Sequence, residues 1–391
     1  MYKKKIAKIA TISMLKELDL IDKPGLVSPV SNGSHDDMDY FLMRRGILSL
    51  RNYFEKAFSL GFFNSDFNAL RELGKRYERK MFIYTGGINT HKGAVFLLGI
   101  LVYLIARTKA RGVVLSRENF LENIMAEIDK TSLKSLLKES RYGARREVID
   151  GYSLSFESTK YSLDRRLYYI MSKIHDTNIV RRGGEELLNK VKQLSKFAIN
   201  DHLKRRELKS VVESNRLSPG GAADILINSI FIEDFFKYEQ SYLNSLKNSI
   251  LSTKEAVADC GYNYKVVLSL VVPGLIKSDE KFLKYFERYK KIFDENYDIV
   301  KTIYNNTGYR TIYRLETTTD FVELKTFSIA LENGSLIDID IYKDEPIDRK
   351  YLKKPMRKCL LCDDAAKVCM INKTHSTEDI IKKSLEIINE N

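Results

Sequence analysis

Apolar residues recur every three to four positions through most of the first 250 residues, the spacing of helices with one buried face. Ile6, Ile9, Ile12, Leu15 and Leu18 mark a first helix over residues 1–20, and Lys23-Pro24-Gly25 breaks it. Helical spacing resumes from Asp39 to about Leu73. The apolar run Ala94–Ala106 predicts a buried central helix, well short of the roughly 20 residues a membrane span needs. Further helices are expected at 117–138, 161–175, 184–200 and 222–249. Strand-like alternation is absent before residue 260, so the first part is predicted to be all-α.

The texture changes near Gly261. The segments around Val271, Tyr309, Val322 (VELKTFSIALE) and Leu336 (LIDIDIY) are β-branched, aromatic or alternating, and predict strands. Lys281–Tyr304 predicts an amphipathic helix, and a last helix is expected from about Thr377 to Asn389, opened by Ser376-Thr377. The expected architecture is an all-α domain over 1–240 followed by a smaller α+β domain over 241–391. The charged segment 236–262 is expected to be the linker, in helical form or not.

A chain of 391 residues suits two domains, and 44% hydrophobic with 30% charged residues is a globular balance. The net charge of +13 suits an anionic partner, whether nucleic acid, acidic protein or phosphorylated ligand, but it is spread along the chain without long Lys/Arg blocks, and a soluble basic surface is the plainer reading. The basic opening is not followed by a small-residue cleavage site, so no export signal is expected and a cytoplasmic location is. Disulfides are then disfavoured for Cys260, Cys359, Cys362 and Cys369.

Four polar motifs interrupt the helical part. Ser34-His35-Asp36-Asp37-Met38-Asp39 would place Asp36 and Asp39 on one face if it opened a helix, a spacing of hard oxygen ligands that suits Mg²⁺. The plain alternative is a helix cap. Gly86-Gly87-Ile88-Asn89-Thr90-His91-Lys92-Gly93 sets Asn89, His91 and Lys92 before the central helix, where backbone N–H groups and an ammonium can face phosphate, though the spacing is not that of a Walker loop. His175-Asp176-Thr177-Asn178 joins a titratable pair to Arg181 and Arg182. Ser218-Pro219-Gly220-Gly221 exposes N–H groups at a helix start, with Asp224 in its first turn. Taken alone, Asp224 has the ordinary role of meeting the helix dipole, and each arginine that of a solvated surface charge.

In the second part, Asp338 and Asp340 alternate with isoleucines, so both point to one face of a strand. Adjacent acids on one face repel unless a cation sits between them, which suits metal-assisted attack at phosphorus. An exposed edge strand is the alternative. Cys359, Cys362, Cys369 and His375 have the donor types of a tetrahedral Zn²⁺ site, with a non-standard gap between the second and third cysteines. Reduced thiols in a small core are the alternative.

Taken together, the four motifs and Lys23–Val27 (KPGLV) resemble the triphosphoribosyl-dephospho-CoA synthase family over roughly residues 5–235. One departure is Gly143–Phe156 (GARREVIDGYSLSF), where the proline expected after a Gly-aromatic pair is missing, and no site role is assigned there. The resemblance implies that the ribose 2′-hydroxyl of 3′-dephospho-CoA attacks C1 of the ATP ribose and expels adenine, through an oxocarbenium-like transition state by analogy with glycosidases. Lys92, Asn89, Arg181, Arg182, Gly220 and Gly221 would hold phosphates. Asp36, Asp39, Asp176 and Asp224 would bind Mg²⁺ or face positive charge, and His35, His91 or an aspartate would move protons.

Pro273-Gly274, Lys277, Gly308-Tyr309-Arg310, Asp338/Asp340, Arg349 and the segment from Arg357 through Cys359-Leu-Leu-Cys362 and Cys369 to His375-Ser376 resemble a second family, over about 245–391. It is the apo-citrate lyase phosphoribosyl-dephospho-CoA transferase, or holo-citrate lyase synthase. That resemblance implies transfer of the phosphoribosyl-dephospho-CoA unit to a serine of the apo acyl carrier (gamma) subunit of citrate lyase, with loss of pyrophosphate. Asp338 and Asp340 would hold Mg²⁺, and Lys277, Arg310, Arg349 and Arg357 would neutralise the polyphosphate. The same pair of reactions serving malonate decarboxylase is the near rival, and a basic, zinc-containing nucleic-acid-binding protein the distant one. Neither a membrane nor a nucleic acid is expected as partner.

Overall fold

The computed structural model describes residues 2–137, 142–258, 261–272, 275, 279–305, 308–343 and 345–390. In chain order the helical part comprises α1 (Tyr2–Leu18), α2 (Tyr40–Ser49), α3 (Tyr53–Phe62), α4 (Phe67–Tyr84), α5 (Lys92–Ala110), α6 (Phe120–Asp129), α7 (Leu133–Leu137), α8 (Gly143–Ile149), α9 (Ser153–Ser158), α10 (Leu163–Lys173), α11 (Thr177–Ala198), α12 (His202–Ser214) and α13 (Gly220–Ala258). Then follow β1 (Tyr264–Leu270), α14 (Glu280–Asp294), β2 (Ile299–Asn305), β3 (Gly308–Arg314), α15 (Phe321–Glu332), β4 (Ile337–Lys343), β5 (Glu345–Pro346), α16 (Ala366–Asn372) and α17 (Thr377–Glu390). The chain divides into two compact units, Tyr2–Lys109 with Val113–Glu239, and Gln240–Asn391 with Ala110–Gly112.

The first unit is all-α and is organised on α5. Leu97, Leu98 and every residue from Leu101 to Ala106 are inaccessible to solvent. By length and composition α5 is the one helix among the described residues able to cross a membrane, but 83% of its apolar window is buried inside the protein, as befits a core helix. Its partner α3 comes close enough that a Cβ on Gly61 would lie 2.2 Å from the Tyr103 carbonyl oxygen, so only glycine fits there.

The second unit is α+β. Its five-stranded sheet has the order β2-β3-β1-β4-β5, and every pairing is antiparallel. Ile337, Ile339 and Ile341 are buried, and the alternating Asp338 and Asp340 face the other way. Ser269 of β1 lies opposite both Asp338 and Arg310, which puts that arginine on the face of the two acids.

Two expectations need correction. VELKTFSIALE is helix α15, not a strand. Its alternation imitates a strand, but Asp320 caps the Val322 and Glu323 N–H groups, and Leu324, Ser328 and Glu332 form its buried stripe at i, i+4. The helix expected over 281–304 ends at Asp294, and Ile299–Asn305 forms β2. The charged segment 236–262, for which a helical form was left open, is helix α13 as far as Ala258. Cys260, Pro273, Gly274 and Lys277 lie outside the described residues.

Candidate active site

A cavity of about 490 Å³ opens in the first unit, and all four polar motifs line it. His35 and Asp37 come from the loop before α2, Asn89 to Gly93 from the start of α5, Thr177, Asn178, Arg181 and Arg182 from α11, and Ser218, Gly220, Gly221 and Asp224 from the start of α13. Three helices thus begin at its wall, and each brings the partial positive charge of its N-terminus. Some of that anion-binding capacity is already used. The Asn89 side chain accepts from Lys92 N–H at 3.1 Å. Buried Asp176 caps α11 through Asn178 and Ile179, and its other oxygen accepts from Ala222 N–H of α13 at 3.0 Å. Asp176 therefore ties two helix starts together, with both of its oxygens engaged by backbone N–H groups.

Asp36 and Asp39 do not share a helix face. The segment before α2 is a series of turns, Asp39 caps α2 by accepting from Leu42 N–H, and exposed Asp36 pairs with Arg216 at 2.6 Å. Neither lines the cavity; Asp37 does. Arg182 donates to the carbonyls of Ser34 and Arg216, so it holds the loop in place. Arg181 is exposed on the cavity wall, and Lys92 is more than half exposed with Glu78 3.6 Å away. These two are the cations best placed to meet phosphate. His175 lies outside the lining, stacked on Tyr142 at 3.7 Å and bonded to Glu185.

The titratable groups on the wall fall into two clusters. His35 Nε2 is 2.9 Å from Ser218 Oγ, and its Nδ1 is 3.6 Å from Asp37. Burial, and then the Arg182 charge, lower its pKa. On the other side, Asp224 has its pKa raised well above the usual carboxylate range by burial and then by Asp176 and Glu17. A Cβ on Gly93 would lie 1.8 Å from Asp224 Oδ2, so glycine makes room for this acid. Glu17 also lines the cavity and accepts from buried Lys23 at 2.8 Å. His91 is 4% exposed, and both of its ring nitrogens lack a hydrogen-bond partner. Burial and the Lys23 charge push its pKa down to about 3, so it is neutral. Glu17, Lys23, Asp37 and Ser218 were not assigned site roles from the sequence. Lys23, Asp37 and Ser218 stand within the quoted motifs, and only Glu17 had no signal of that kind.

In the second unit Asp338 and Asp340 project beside Arg310, which is electrostatically close to both. Burial and Glu332 raise the Asp338 pKa; burial and Asp338 push Asp340 up to about 6. Arg357 lies 3.4 Å from Asp338 but also donates to the Ile337 and Ser335 carbonyls, and Arg349 is paired with Glu332 at 2.5 Å. Arg357 therefore braces the start of β4, and Arg349 is tied to Glu332 of α15. Glu332 also accepts from Ile339 N–H, and Lys325 donates to Ile339 C=O, so α15 covers the strand edge.

Residues 3–242 match the model of the CitG family, ATP:dephospho-CoA triphosphoribosyl transferase. The chain belongs to this family. Residues 242–391 match the CitX model, apo-citrate lyase phosphoribosyl-dephospho-CoA transferase. The protein is thus a bifunctional transferase of citrate lyase prosthetic-group biosynthesis. A "Probable 2-(5''-triphosphoribosyl)-3'-dephosphocoenzyme-A synthase" of Acinetobacter calcoaceticus is 30% identical over 271 residues, covering 60% of this chain and 91% of that protein. One of the same printed name from Streptococcus pyogenes serotype M49 is 32% identical, covering 56% and 93%. "Protein CitXG" of Leuconostoc mesenteroides subsp. cremoris is 32% identical over 276 residues, and the match covers 59% of each chain.

The CitX-like half gathers Cys359, Cys362, Cys369 and His375 so that one ligand atom from each lies within 4.8 Å of all the others. Leu361 N–H points at Cys359 Sγ at 3.5 Å, and a bridge between Lys358 and Ala365 closes the loop that carries the first two cysteines. Cys369 comes from α16 and His375 from the turn before α17. In a tetrahedral zinc site, sulfur atoms about 2.3 Å from the metal stand roughly 3.8 Å apart. The cluster therefore has the donor set and the size of a metal site.

Proposed function

We propose that the cavity of the CitG-like unit is where ATP and 3′-dephospho-CoA react. The 2′-hydroxyl oxygen of dephospho-CoA bonds to C1 of the ATP ribose as the bond from C1 to adenine breaks. The hydroxyl proton leaves, adenine takes one up, and the triphosphate stays on the product. Lys92 and Arg181 hold the triphosphate. His35, neutral and aligned by Asp37 and Ser218, accepts the hydroxyl proton. Asp224 faces the reacting carbon: a desolvated carboxyl beside other acids ionises most readily when positive charge develops next to it. The unpaired nitrogens of His91 are satisfied by bound substrate. Mg²⁺, when bound, would offset triphosphate charge. The convergence of all four motifs on one cavity carries this reading.

In the CitX-like unit, Asp338 and Asp340 hold Mg²⁺ for the second step. A serine oxygen of the citrate lyase acyl carrier subunit bonds to the phosphorus next to the ribose, and pyrophosphate leaves. The CitX match supports that acceptor over the carrier of malonate decarboxylase. The cysteine cluster holds a structural Zn²⁺, which its donor chemistry and spacing support.

The test combines the protein with ATP, Mg²⁺ and 3′-dephospho-CoA, followed by mass spectrometry. Free adenine and a triphosphoribosyl adduct are expected. Adding the apo carrier should then label one serine and release pyrophosphate. ADP or AMP in place of adenine would overturn the glycosyl-transfer reading. Elemental analysis of the same sample should give one zinc per chain.

A further inference from the structure

The reaction brings together two large anionic substrates, and the cavity described above has only a few cations free for phosphate. A second cavity, of about 660 Å³, lies between α4 and α5 in the same unit. It shares Lys92, Gly93 and Ala144 with the first, so the two spaces meet at the start of α5. Its cations are Arg71, Lys75, Lys92 and Arg145; Lys75 is paired with Glu72 at 2.6 Å, and Lys92 lies 3.6 Å from the lining carboxylate Glu78. Arg71 and Arg145 are exposed, and neither has a hydrogen-bonded acid partner among the described residues. Beneath them the wall is apolar, with Phe67, Leu70, Phe96 and Ile100. In the first turns of α5, where Ala94, Val95, Leu97 and Leu98 are fully buried, Phe96 stays half-buried and open to this cavity.

We propose that this second cavity is the 3′-dephospho-CoA subsite. The inference rests on the reaction proposed above. Arg71 and Arg145 take the diphosphate ester, and the apolar wall around Phe96 takes an uncharged flat or chain-like group of the same ligand. Lys92 and Gly93, common to both cavities, mark where its ribose hydroxyl reaches the ATP ribose. A mostly apolar pocket of this size with a few convergent charges is the usual form of such a site. The three helix N-termini of the first cavity suit the more highly charged triphosphate, which assigns the remaining cavity to the diphosphate.

Steady-state kinetics of adenine release test it. Arg71→Ala and Arg145→Ala should each raise KM for 3′-dephospho-CoA about tenfold, the factor that corresponds to about 1.4 kcal/mol of lost binding. KM for ATP should stay within about twofold. Arg79→Ala, on the same helix but lining a separate cavity, serves as the control for general surface charge and should change neither constant. Arg71→Lys should recover part of the loss, and unchanged thermal melting shows that the variants are folded. Equilibrium dialysis with 3′-dephospho-CoA alone should show the same weakening. A rise in KM for ATP instead, an equal effect of Arg79→Ala, or no change in either constant would overturn the assignment. Absence of adenine release from the unaltered protein would instead sink the reaction itself, which keeps the two failures apart.

Discussion

At the residue scale, the structure separates acids tied to helix ends or an arginine from an acid that lines the cavity. Asp36, Asp39 and Asp176 were grouped with Asp224 from the sequence, because aspartates in polar motifs look alike until their partners are known. Asp36 is engaged by Arg216, Asp39 by a helix end and Asp176 by two, while Asp224 faces the cavity. In the second half, the pKa of Asp340 predicts a pH dependence. Desolvation and Asp338 raise its pKa to about 6, so below that pH the carboxyl is protonated and loses its affinity for a cation. Transfer from preformed precursor to the carrier should therefore fall as pH drops below about 6. The measurement is a pH–rate profile at saturating precursor and fixed Mg²⁺. A profile flat to pH 5 would remove Asp340 from the metal site.

At the element scale, the junction of α11 and α13 depends on one carboxylate. Asp176→Ala would leave N–H groups at two helix starts without their acceptor in a buried setting. The expected loss is about 3 kcal/mol of stability, seen as a lower urea midpoint. Asp224→Asn should leave that midpoint nearly unchanged while abolishing adenine release. Equal destabilisation by the two changes would contradict the division of roles. The same scale explains why α15 was misread. A buried stripe that includes Lys325, Ser328 and Glu332 has no hydrophobic period to detect, because those side chains serve the edge of β4. Likewise β2, with its half-exposed pattern, was absorbed into the amphipathic helix before it.

At the scale of the whole molecule, the two halves carry separate chemistry. Asp224→Asn should block adenine release and spare transfer of preformed precursor, and Asp338→Asn should do the reverse. Mixing the two variants should restore carrier labelling from ATP and dephospho-CoA, because each supplies the step the other lacks. Failure of the mixture would mean that the intermediate does not pass between molecules. The sequence by itself determined the order of the halves, the helical character of the first, the strands of the second that alternate cleanly, and the chemistry of the motifs, since periodicity and donor type are local properties. Only the tertiary structure decided which members of those motifs share a cavity. It placed Asp37 on the wall and Asp36 and Asp39 off it, added Glu17 from a helix with no motif of its own, and tied Asp176, Arg182 and Arg349 to partners distant in the chain. Partner choice is set by packing between segments far apart in the chain, and spacing along one segment does not encode it.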